Sequence, residues 1–80
     1  MQPSIKIDLQ LFCQIIEAEE GMAIDHEEVV DEERIRHYKG KNGEIVQISM
    51  NDEFIYNRTA KAHMIQLGID ELIIRLFPND

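Results

Sequence analysis

Cysteine occurs once, at Cys13, which excludes an internal disulfide and any zinc cage built from thiolates. Secreted domains of 80 residues usually rely on such cross-links, so a cytoplasmic location is expected. Long apolar runs are missing as well. Glu17 interrupts the nearest one well short of membrane length, and no basic segment leads into an apolar one at the start, so neither a membrane span nor a secretory signal is expected. Without such a signal the acceptor triplet Asn57, Arg58 and Thr59 is not expected to carry a glycan. Basic residues are scarce. Eight Lys and Arg against 16 Asp and Glu leave a net charge of −8, which repels nucleic acid at long range. Glycines number four, and no helix follows Gly40 and Gly43, so a phosphate-binding loop is excluded.

What is present suffices for a core. Apolar residues make up 44% of the chain, and the length is that of one domain spanning residues 1–80. The acids are placed unevenly: ten precede Arg34 against Lys6 alone, and from Arg34 onward six face seven bases.

Residues 8–20 predict a helix, capped by Asp8 and stopped by Gly21, with Leu9, Phe12, Cys13 and Ile16 on one face. Leu11, Ile15 and Ala18 widen the apolar arc beyond what one sheet covers. Ile5, Ile7, Leu9 and Leu11 also alternate with polar residues as a strand does, and a short strand at 5–7 leading into the helix satisfies both patterns. Residues 22–24 suit a short strand, and the acidic stretch 25–33, with Val29 and Val30 as its apolar residues, reads as a surface loop or one frayed helical turn, with the loop preferred. Residues 34–39 and 44–50 are the clearest strands, joined by a Gly-Lys-Asn-Gly turn, with Val46, Ile48 and Met50 sharing one face. A third short strand at 54–56 precedes a helix capped by Thr59 and ended by Gly68, and a last helix runs from Asp70 to Phe77. There Glu71 stands four residues before Arg75, the favourable order for an ion pair. The expected fold is α+β: a small antiparallel sheet of about three strands packed by an N-terminal helix and one or two C-terminal helices. Its core should contain Phe12, Cys13, Ile16, Val46, Ile48, Met64 and Leu67.

Catalytic patterns are missing. Residues 26–30 begin like a zinc-protease HExxH, but Val30 stands where the second histidine belongs. The acidic stretch resembles a calcium loop except that Val30 replaces the obligatory glycine. No metal and no cofactor are therefore expected. Cys13 lies on an apolar helix face as buried filler, Ser4 and Ser49 have no nucleophile-elbow context, and His26, His37 and His63 read as surface or packing residues. The one remaining constellation is Arg34, Arg36, His37, Tyr38, Lys39 and Lys41 on one strand and its turn. Bases beside an aromatic suit a phosphate backbone and a stacked base, unless the acids just before them neutralise the strand.

The order Tyr38, Gly43, Val46, Ile48, Thr59, Gln66, Gly68 and Ile69 resembles the HicA-type messenger-RNA interferase toxins, over about 40% of the chain. That resemblance implies a double-stranded-RNA-binding-like αβββα fold. Ile35 occupies the position of the family's catalytic histidine. Glu33 and Arg34 stand where the family has Gly-Ser, and Ser49 and Asn51 where it has Pro and His, so the nuclease activity is not implied.

The leading expectation is a non-enzymatic protein-interaction domain presenting the acidic residues Glu27, Glu28, Asp31, Glu32 and Glu33 to a protein partner. Self-association into a homodimer through the first or last helix is a further expectation. The alternatives are an RNA-binding, toxin-like domain using Arg34, Arg36, Tyr38, Lys39 and Lys41, and a small-ligand sensor with a pocket between the sheet and the last helices.

Overall fold

The computed structural model describes residues 5–78, so Ser4 lies outside the described part. Its first elements reconcile the two patterns at the start of the chain. Strand β1 (Lys6–Asp8) runs directly into helix α1 (Leu9–Glu17), and the Asp8 carboxylate caps that helix by accepting from the Leu11 amide at 3.0 Å. Leu9, Phe12, Cys13 and Ile16 are buried as the 3.6-residue period requires, and Leu11 of the wide apolar arc is left 47% exposed. The helix ends three residues short of the expected 20, because Glu19 and Met22 already close tight turns on Ile16 and Glu19.

The acidic stretch is no loop. Residues 25–30 belong to strand β2 (Ala23–Val30), which pairs antiparallel with β3 (Glu33–Lys39), and β3 pairs with β4 (Ile45–Ser49) in the order β2-β3-β4. Asp and Glu are poor strand formers by themselves. What makes β2 a strand is its cross-strand partners, Glu27 opposite Arg36 and His26 opposite His37, which sequence propensity does not report. Asp31 and Glu32 form the two-residue turn with φ of 50° and 70°, the left-handed pair that matches hairpin twist. Asn51 braces it, accepting from the Arg34 amide at 3.0 Å and donating to the Glu32 carbonyl at 3.2 Å.

The β3–β4 turn is stapled to the end of the next helix. Asn42 accepts from the Glu44 amide at 3.0 Å and donates to the Gln66 carbonyl at 2.8 Å. A Cβ on Gly40 would lie 2.2 Å from the Leu67 carbonyl oxygen, so only glycine permits this approach.

Strand β5 (Phe54–Tyr56) pairs with β1 and leads into α2 (Asn57–Gln66). The helix begins two residues before Thr59, which caps nothing: the Asn57 amide donates to the Ile5 carbonyl at 2.8 Å, so the β1 pairing itself starts the turn. Gly68, at φ 78°, closes α2 with paired bonds from the Gly68 amide to Ile65 and from the Ile69 amide to Met64, at 3.1 and 2.9 Å. Helix α3 (Glu71–Leu76) follows, with no side-chain bond from Asp70. Glu71 takes Lys41 at 3.3 Å instead of Arg75.

The fold is α+β, with one hydrophobic cluster among the described residues. All seven expected core residues lie in it, beside Leu9, Tyr38, Ile55, Ala60, Ile69 and Leu72. Each large aliphatic or aromatic side chain buried there contributes about 1.5–3 kcal/mol. The core face of the sheet carries Tyr38, Val46 and Ile48; on the other face Glu28, Val30, Glu33, Lys39, Ile45 and Gln47 are exposed. Among the described residues no helix is long and apolar enough to cross a membrane.

Candidate functional site

Two charged clusters flank the β2–β3 ladder, one on each face. Alternation sends Arg34, Arg36 and Tyr38 toward α1, and Glu33, Ile35, His37 and Lys39 away from it.

On the α1 side the Tyr38 hydroxyl donates to the Glu17 carboxylate. Arg36 Nη1 donates to the same carboxylate at 3.1 Å and to the Tyr38 oxygen at 2.9 Å, and its Nη2 lies 3.2 Å from Glu27. Arg34 reaches Glu27 at 3.1 Å. These contacts have electrostatic consequences. The Arg34 hydrogen bond holds the Glu27 carboxyl below its ordinary range, with Arg36 adding to it. Burial pushes the Tyr38 phenol and the Cys13 thiol up, so neither ionises near neutrality, and Cys13 is no activated nucleophile. A hollow of about 560 Å³ lies beside this cluster, lined among others by Gln10, Cys13, Gln14, Glu17, Arg34 and Arg36. It lies against α1, on the sheet face that carries Arg34 and Arg36.

On the outer face His26 and His37 stack with ring centroids 3.9 Å apart and planes 14° from parallel. Glu28 Oε2 lies 2.6 Å from His37 Nε2 and 3.6 Å from His26 Nε2. Asp25 Oδ2 lies 2.8 Å from His26 Nδ1, and this bond raises the His26 pKa. A β-bulge between Ile24 and His26 breaks the strand alternation at Asp25. Sequence spacing missed the set because it looked for ligands along one segment. Once Asp31 and Glu32 are seen as a two-residue turn, His26 and His37 become equidistant from it and hence opposite each other.

The acidic residues singled out in the sequence do not form one free face. Glu27 and Glu28 are engaged as above, and Glu33 accepts from the Ser49 hydroxyl at 3.0 Å. Asp31 and Glu32 sit exposed at the turn tip. The basic residues are likewise dispersed. Tyr38 has no exposed surface, Arg36 is largely buried, Lys39 is on the opposite face, and Lys41 pairs with Glu71 at the far turn. What the sheet does present is β2 itself. It is an edge strand, all eight of its residues are exposed, and Ile24, Val29 and Val30 are 44%, 69% and 45% exposed.

No protein-family model, no curated protein and no solved structure matches the chain.

Proposed function

We propose that this chain is a non-enzymatic protein-interaction domain of the cytoplasm, and that β2 takes up an extended basic segment of a protein partner by strand addition. The observation that carries the reading is the eight-residue edge strand, exposed throughout, with apolar Ile24, Val29 and Val30 interleaved with acids. An unpaired edge offers a row of backbone donors and acceptors to an incoming strand, and its side chains choose which strand binds. The charge choice is clear. Between Ala23 and Lys39 there are six acids and three Lys or Arg, so a basic segment is attracted. A second copy of β2 would set Asp25, Glu27 and Glu28 against one another, so a homodimer would have to use the exposed Leu11 of α1 or Ile74 of α3.

The RNA reading draws on the run α1, β2, β3, β4, which strand β5 separates from α2. The side chains oppose it: Tyr38 cannot stack a base from within the core, and Arg34 and Arg36 already hold carboxylates. Fluorescence anisotropy tests the two readings side by side. The probes are a labelled Lys/Val alternating decapeptide, its Glu/Val counterpart and a short single-stranded RNA, at low and physiological salt. The basic peptide should bind, more weakly as salt rises, and the acidic peptide and the RNA should not. RNA binding at physiological salt that an Arg34→Ala/Arg36→Ala variant abolishes would replace this reading with the RNA one.

A further inference from the structure

The outer-face cluster has the composition and spacing of a metal site. His26 and Glu28 alternate onto one face of β2, and His37 stands directly opposite His26 on β3. Three ligand atoms, one from each residue, lie within 4.8 Å of one another. Asp25 supplies the supporting contact that metal-binding histidines use. With the Nδ1 proton of His26 donated to that carboxylate at 2.8 Å, Nε2 is left with its lone pair on the Glu28 side. Adjacent residues of a regular strand point to opposite faces, so this contact depends on the bulge at Asp25.

We propose that His26, His37 and Glu28 bind one divalent transition-metal ion of the zinc class, with Asp25 as the positioning residue for His26 and water in the fourth place. Two imidazoles and one carboxylate suit zinc and its neighbours, whereas calcium and magnesium require mostly oxygen ligands. A tetrahedral zinc ion sets its ligand atoms about 3.3 Å apart, from bond lengths of about 2.0–2.2 Å. Glu28, now 2.6 Å from His37 Nε2, has to move out by less than 1 Å, the proton the two share is released to solvent as the metal takes its place, and the stacked rings have to tilt. The side chains of His26 and Glu28 are 51% and 43% exposed, so they are free to adjust and the ion has an open path. Bound there, the ion ties the edge strand to its neighbour. The hydrophobic core is built elsewhere, so the fold stands without it.

Isothermal titration calorimetry of the metal-free full chain with Zn²⁺ tests this, with melting temperature as a second readout. One Zn²⁺ per chain should bind, and it should raise the melting temperature because only the folded hairpin assembles the ligands. His26→Ala and Glu28→Gln, both exposed and checked for folding by circular dichroism, should each weaken binding more than tenfold. Asp25→Asn should weaken it about 10–100-fold, and His63→Gln should leave it unchanged. Failure to take up zinc saturably in the micromolar range would overturn the proposal. So would uptake that His26→Ala and Glu28→Gln leave intact, or equal competition by Ca²⁺, since either would place the ion on scattered surface acids.

Discussion

Arg36 stands directly opposite Glu27 in the β2–β3 register, and its Nη2 lies 3.2 Å from that carboxylate. Through Nη1 it also holds Glu17 of α1 and the Tyr38 hydroxyl, so one guanidinium joins the edge strand, the central strand and the first helix. Tyr38→Phe removes the hydroxyl from this network and should cost about 1–3 kcal/mol, as hydrogen bonds to charged groups do. Urea unfolding measures it, and a loss near zero would show that the network does not stabilise the fold.

Ile48 projects from β4 into the core and is 4% exposed. Ile48→Ala should therefore lower stability by about 2–5 kcal/mol in the same titration, the range for large-to-small changes in a packed core.

The two hairpin turns should respond in opposite directions. Glu32 holds a φ of 70° that strains any side chain, so Glu32→Gly should raise stability by about 0.5–1 kcal/mol, less than the full strain because glycine also loosens the unfolded chain. Gly40→Ala pushes a methyl into the Leu67 carbonyl and should destabilise by about 1–3 kcal/mol.

Much of this fold is legible in the residues, and the exceptions share a cause. The period of α1, the phase of β4, the turn at Gly43 and the glycine stop at Gly68 are local signals, and local packing obeys them. The acidic strand β2 is not legible, because Asp25, Glu27 and Glu28 become strand residues only through Arg36, His37 and the rest of β3. The site was lost with it. His26 and His37 look unrelated at eleven residues apart until the turn at Asp31 and Glu32 folds them together. Tyr38 misleads for a similar reason: beside Arg36 and Lys39 it reads as a stacking platform, yet alternation sends it into the core.

Burial holds the His63 pKa below its ordinary value of 6.5. The unfolded chain then binds more protons than the folded one near that pH. Stability contributed by neutral His63 is thus full above about 6.5 and is lost as pH falls through the folded value. His26, raised by Asp25, acts in the opposite sense, so the comparison is between the parent and His63→Gln. The parent should lose stability relative to the variant in urea titrations taken from pH 7 down to pH 5, and parallel curves would contradict the assignment.

The central claim is that the free edge of β2 receives a basic strand. Amide chemical shifts of the ¹⁵N-labelled chain, recorded while the Lys/Val decapeptide is added, test it most directly. The largest saturable shifts should fall on Ala23–Val30, and the Glu/Val peptide should produce none. Shifts that leave β2 untouched and gather on α1 or α3, or shifts equally large with the acidic peptide, would contradict the account.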